Sequence, residues 1–406
     1  MLKKYFYLIF ILSFTNCSSP KKVLFQNYID TTNRLIETQE QETFQLDSLG
    51  VFASNNFDGA RLNEFKKLND TTAIALITPE NTPINNSPYY AFQIWSKEPK
   101  TFYVNLRYPK GFKHRYTPKL KVNGKWKKID STNIFTKDSL TFIKLKLSKT
   151  KQIVAAQKIE SSKDVNNWIQ KLSLNYSKNL KVTSAGASTF GRNLPVLIIT
   201  NNFSNKKNVI VLLTRQHPPE VTGYYAFKNF IETILKENKL SNTFLDNYQI
   251  IAFPIMNPDG VDLGHWRHNA GGVDLNRDWS RYNQPEIKQT VNFINKFLKR
   301  NDVKVILGLD FHSTWYDIFY TNKERKKTSL PNFINEWFSA IENTLINYKV
   351  NESSQNSKKP VSKGWFLRGH NATGVTFEIG DTTSEKKIKE ISRIAAIKMM
   401  QILLNK

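Results

Sequence analysis

Five short and almost wholly apolar runs, at 194–200, 209–214, 249–256, 304–311 and 375–379, recur through the second half of the chain. A strand built from such a run has no polar side to turn towards water, so both of its faces must be covered. Stretches with helical apolar spacing alternate with these runs, at 165–172, 221–236, 285–299, 331–347 and 384–404. In the last, Ile388, Ile391, Ile394, Ala395, Met399, Ile402 and Leu403 form one stripe. The alternation predicts an α/β unit whose sheet carries helices on both faces.

Upstream the period changes. From about residue 46 to 154 the chain offers short β-type runs, at 73–77, 89–95, 102–106 and 140–147. Turn signals separate them: Pro79, Asn85-Asn86, Pro109-Lys110-Gly111 and Asn123-Gly124. Strands at this spacing predict a small antiparallel β-sandwich. The expected organisation is a leader at 1–17, a polar tether at 18–45, the sandwich at 46–157 and the α/β unit at 158–406.

The leader carries Lys3-Lys4 and an apolar run over 5–12, too short to span a membrane, and ends near Cys17, the only cysteine. This resembles a bacterial lipoprotein signal, in which such a cysteine is lipidated, although Asn16 is not the small residue usually found before it. The pattern predicts an exported lipoprotein of the bacterial cell envelope, held to the membrane by a lipid anchor on Cys17. An ordinary secretory signal is the alternative. One cysteine also excludes an intramolecular disulfide and any multi-cysteine metal site. The formal net charge is +25, a field that favours anionic partners. Without a compact Lys/Arg block or an aromatic-interleaved basic motif, it does not point to nucleic acid, and a general compositional bias would produce it as well.

Four apolar runs end in unusual polar residues, the position where open α/β sheets gather their ligand sites. Run 209–214 leads into Arg215-Gln216-His217-Pro218-Pro219-Glu220, and run 249–256 into Asn257-Pro258-Asp259-Gly260. Run 304–311 delivers His312, and Val375-Thr376-Phe377 leads to Glu378. His-x-x-Glu at one strand end and a histidine at another can supply two imidazoles and a carboxylate to zinc, leaving one coordination position open. Taken alone, His-x-x-Glu is a weak signal.

The ordered set is specific. His217-Pro-Pro-Glu220, Asn257-Pro-Asp-Gly260, Trp266-Arg267, Gly272-Val-Asp-Leu-Asn276-Arg277-Asp-Trp279, Asp310-Phe-His312-Ser and Thr376-Phe-Glu378 resemble the motifs of the zinc carboxypeptidases. Gly186-Ala-Ser-Thr-Phe-Gly191-Arg192 is similar to the family's approach to its central strands, so the likeness covers about 160–406. The sandwich resembles the domain that precedes the catalytic domain in cytosolic-type carboxypeptidases, through Phe57-Asp-Gly-Ala-Arg-Leu62 and Tyr89-Tyr-Ala-Phe-Gln-Ile94. The fold implied is α/β, a mixed sheet covered by helices on both faces and preceded by a small antiparallel β-sandwich.

The resemblance implies one zinc ion per chain, held by His217, Glu220 and His312, and a peptide or peptide-like substrate with a free carboxylate. It makes Glu378 the catalytic base and Arg267 the group that stabilises the oxyanion. Asn276 and Arg277 would clamp the terminal carboxylate, and Asp274 would orient the first zinc histidine. Structural roles stay open for Arg277 (an ion pair), Asp274 (a turn) and Arg267 (a surface cation). Lys363, fifteen residues before Glu378, matches the floor of the pocket for the C-terminal side chain and would favour an acidic residue there. A solvated lysine in a Lys-rich loop is the alternative. The chain departs from the family in having no tyrosine between residues 349 and 378, the nearest being Tyr348. Two other functions remain open: a deacylase or amidase of the same fold acting on small N-acyl amino acids, and a non-catalytic peptide-binding lipoprotein.

Overall fold

The computed structural model describes residues 21–204 and 207–406; the leader and Cys17 lie outside the described residues. The apolar runs assemble into an eight-stranded sheet. Its order is Leu180–Ala187, Asn193–Ile199, Tyr248–Phe253, Asn208–Thr214, Val305–Thr314, Thr373–Gly380, Ile318–Tyr320 and Glu352–Ser353. The strands from Tyr248–Phe253 to Thr373–Gly380 run parallel, and antiparallel pairings join this block to its neighbours on both sides. The sheet is therefore mixed.

One face packs on helices Ser162–Asn175, Val221–Ile234, Lys239–Asn247, Phe333–Glu342 and Glu385–Leu404, and the other on Pro285–Asn301 and Ser362–His370. Cover on both sides is why Val305–Thr314 is buried along all but its last residue. Helix Glu385–Leu404 starts where the Ser384 hydroxyl accepts from the Lys387 N–H, and its apolar stripe faces inward as the spacing predicts. Helix Ser362–His370 has no readable period, because five consecutive residues from Ser362 to Phe366 are all buried.

The upstream region forms two sheets around one core. One holds Thr43–Leu46, Val51–Ser54, Ala91–Ser96, Gln152–Ala155, Lys119–Val122 and Lys125–Lys128. The other holds Glu64–Asn69, Thr72–Leu76, Lys100–Arg107, Leu140–Leu147 and Ile134–Lys137. Pairing is antiparallel except between Thr72–Leu76 and Lys100–Arg107, which run parallel. The core includes one residue of the α/β unit, Trp266, whose ring stands edge-on to Phe112 at 5.1 Å and to Tyr108 at 6.3 Å. The Phe57–Leu62 motif also lies at this junction, where the Gly59 N–H donates to the Asp262 carbonyl at 2.7 Å.

Of the segment expected as a tether, residues 27–34 are laid against the α/β unit, while its end, from Thr43, already belongs to the first strand of the sandwich. Thr31 is buried and its hydroxyl donates to Asp278 at 2.5 Å. The Arg34 N–H donates to the Gly271 carbonyl at 2.9 Å, and that of Asn27 to the Lys358 carbonyl at 3.1 Å. A polar segment can lie down in this way because loops offer it unpaired backbone groups.

Candidate active site

The site lies at the C-terminal ends of the parallel strands. Strand Asn208–Thr214 runs into His217, and Glu220 sits at the N-terminus of helix Val221–Ile234. That helix lies close against the next strand: a Cβ on Gly223 would stand 2.3 Å from the His312 carbonyl oxygen, so only glycine allows the approach. His312 and Glu378 are paired neighbours on adjacent parallel strands. Residues distant in sequence thereby converge on one point.

His217 Nδ1 lies 2.8 Å from Glu220 Oε1, and His312 Nδ1 lies 2.6 Å from Glu220 Oε2. One ligand atom from each of the three residues falls within 4.8 Å of the others, and all three residues are buried. The outer ring nitrogens are held as well: His217 Nε2 is 2.8 Å from Asp274 Oδ1, and His312 Nε2 is 2.9 Å from Asp310 Oδ2. An outer carboxylate on each ring favours a proton there and turns the Nδ1 lone pairs inward. Burial alone would raise the Glu220 carboxyl, but His217 and His312 hold it well below the ordinary carboxylate range. This donor set, two Nδ1 atoms and an ionised carboxylate, fits zinc.

Asp274 joins several of the expected residues. Besides His217 it accepts from Arg267 Nε at 2.8 Å and from the Asn276 N–H at 2.9 Å, with Arg277 Nη1 at 3.8 Å. Burial would raise its carboxyl, yet Arg267, Arg277 and His217 hold it well below its usual value. Glu378 moves the other way. Burial, and then the Glu220 charge, push its carboxyl up to about 7, against the pull of His312, His217 and Arg267. Glu220 and Glu378, two carboxylates of one cleft, are thus driven apart in acidity.

A cleft of about 290 Å³ is lined by His217, Glu220, Arg267, Asn276, Arg277, His312, Lys363 and Glu378. Among the described residues every expected site residue except Asp274 lines it, and Asp274 lies directly behind. Lys363 is buried, with its ammonium donating to the Thr321 carbonyl at 2.8 Å; burial pushes it down to about 7. It has no carboxylate partner among the described residues.

The sandwich supplies part of the cleft wall through Asn85, Asn86, Ser87 and Arg115, whose guanidinium pairs with Asp381 at 2.8 Å. Sequence reasoning did not find this wall, nor Asp310 behind His312, nor Tyr320 in the cleft. Asp310 stood within a quoted motif, and its two-residue spacing to His312 on a strand was the available signal. Tyr348 packs against the core away from the cleft, and Asn356 occupies the lining in the loop before Glu378.

The strand-end position and the donor set define an α/β protein with a two-histidine, one-carboxylate metal site. The model of the zinc carboxypeptidase family matches residues 165–397, and the chain belongs to that family. Cytosolic carboxypeptidase 3 of Mus musculus is 30% identical over 138 residues, 32% of this chain and 14% of that protein. Cytosolic carboxypeptidase 2 of Homo sapiens is 30% identical over 172 residues, 40% of this chain and 18% of that protein. The matched stretch thus spans less than a fifth of these relatives. Among solved structures, a metallo-carboxypeptidase from Burkholderia cenocepacia superposes with TM-score 0.70 at 14% identity, covering 87% of this chain and 98% of that one. A metallo-carboxypeptidase from Pseudomonas aeruginosa, in complex with (2-guanidinoethylmercapto)succinic acid, gives TM-score 0.69 at 16% identity, covering 86% and 98%. At these identities the likeness is one of fold, and its coverage extends beyond 165–397.

Proposed function

We propose that the protein is a zinc-dependent carboxypeptidase that removes a C-terminal residue, by preference an acidic one. The observation that carries this is the convergence of His217, Glu220 and His312 within 4.8 Å, in a cleft that Glu378 shares. A zinc ion held by those three residues would polarise the scissile carbonyl and lower the pKa of water to about 7. Glu378, poised near neutrality, takes the proton of the attacking water and returns it to the leaving nitrogen. Arg267, part-buried and fixed by Asp274, offers its guanidinium to the oxyanion. Asn276 and Arg277 face the terminal carboxylate of the substrate, for which a guanidinium fork suits bidentate pairing.

The acidic preference rests on Lys363, a buried cation in the cleft wall without a carboxylate partner among the described residues. A substrate carboxylate would supply that partner. Hydrolysis of peptides ending in Glu, Leu or Lys, compared with that of small N-acyl amino acids and followed by mass spectrometry, tests the reading. Peptide turnover that stops on zinc removal and returns on its addition is expected. Glu378→Gln should retain one zinc and lose about 10²–10⁴-fold in kcat, whereas His217→Ala should lose both metal and activity. Hydrolysis confined to N-acyl amino acids would assign the cleft to an amidase, and zinc binding without any turnover would assign it to a binding protein.

A further inference from the structure

Three successive backbone N–H groups, those of Trp266, Arg267 and His268, donate to one carboxylate, Glu80, at 2.7, 3.0 and 2.6 Å. Glu80 comes from the sandwich, just beyond strand Thr72–Leu76, and is fully buried. Successive N–H groups converge on one point when the backbone bends around an anion. The next residue extends the grip: Asn81 Oδ1 lies 2.6 Å from His268 Nδ1, and Asn81 Nδ2 donates to the Gly272 carbonyl at 3.0 Å. The Trp266 ring is sunk in the sandwich core beside Phe112. Arg267 is therefore fixed at its backbone by one domain, while its guanidinium is fixed by Asp274 of the other.

We propose that Glu80 is a positioning residue through which the sandwich sets the place of the Arg267 guanidinium in the cleft. This rests on the reading of Arg267 as the oxyanion donor. The dependence is mutual, because a buried carboxylate is costly unless donors satisfy it, and the loop supplies three of them. A carboxylate can accept from all three N–H groups at once. The amide of a Glu80→Gln variant turns an NH2 towards at least one of them, so the loop must shift.

The test is a double-mutant cycle on the zinc-loaded full chain. Glu80→Gln should lower kcat about 10- to 100-fold, the cost of a displacement of about 1 Å at a reacting group, while zinc content is kept and KM changes less than about twofold. In an Arg267→Ala background the same substitution should have no further effect on kcat, because coupled residues are not additive. Amide hydrogen exchange over residues 265–269, read by mass spectrometry, should quicken in Glu80→Gln and needs no activity. If Glu80→Gln does not fold, Phe112→Leu loosens the Trp266 ring and enters the same cycle. Equal losses with and without Arg267, or unchanged kcat and unchanged exchange, would overturn the proposal. Quickened exchange in a protein without peptidase activity would uphold the clamp and sink the catalytic reading of Arg267.

Discussion

Lys363 is where a single side chain is asked to decide specificity, and its burial gives that role a pH signature. Its ammonium is pushed down to about 7, so the charged form is complete well below that pH and disappears as pH rises through it. The ratio of kcat/KM for a Glu-ending peptide to that for a Leu-ending one should therefore fall between pH 6 and 8.5. Taking the ratio cancels the titration of Glu378. Lys363→Met should flatten the ratio, and a wild-type ratio independent of pH would remove Lys363 from substrate recognition. Asp310 makes a second prediction at this scale. It is buried, touches His312 Nε2 and accepts from Gln216 Nε2 at 2.6 Å. Asp310→Asn should weaken zinc binding about 10- to 100-fold in chelator competition, the usual effect of removing a partner behind a metal ligand.

At the scale of elements, the site depends on how closely helices approach strands. Helix Ser362–His370, which carries Lys363, lies so near strand Thr373–Gly380 that a Cβ on Gly374 would stand 2.2 Å from the Lys363 carbonyl oxygen. Backbone cannot swing aside as a flexible side chain can. Gly374→Ala should cost about 1–3 kcal/mol in urea unfolding and weaken discrimination between Glu- and Leu-ending peptides. Unchanged stability would mean that the helix has room to move. Five of the eight strands of the large sheet and most helices were legible because burial on both faces, or on one stripe, leaves a period in the sequence, whereas the outer strands Leu180–Ala187, Ile318–Tyr320 and Glu352–Ser353 were not. Helices Lys239–Asn247 and Ser362–His370 were not: both span only nine residues, and the first five residues of the second are all buried, which hides its period.

The whole molecule is two units joined through the active site. The sandwich lines the cleft with Arg115 and Asn86, encloses Trp266 and takes three N–H groups into Glu80. No helix among the described residues is long and apolar enough to cross a membrane. We propose lipidation of Cys17 as the anchor, in an envelope protein whose formal net charge of +25 favours anionic surfaces and acidic substrates. The mature wild-type protein should begin at Cys17 and fractionate with membranes, and Cys17→Ser should release it or block its processing. Recovery of wild type from the cytoplasm with Met1 intact would sink the idea.

The sequence by itself determined the α/β class, the ordered motifs and the residues that could meet a metal. Strand ends on a helix-covered sheet leave few places for polar groups, and His217, Glu220, His312 and Glu378 fall at those places. Only the tertiary structure decided how those residues are held. The bonds from Trp266, Arg267 and His268 to Glu80 join residues 186 to 188 positions apart, and no local period records a contact of that span. Four of the sandwich's eleven strands could be read from short β-type runs between turn signals, but not the wall the sandwich builds, because a polar loop such as Asn85-Asn86-Ser87 looks the same in sequence whether it faces solvent or a cleft.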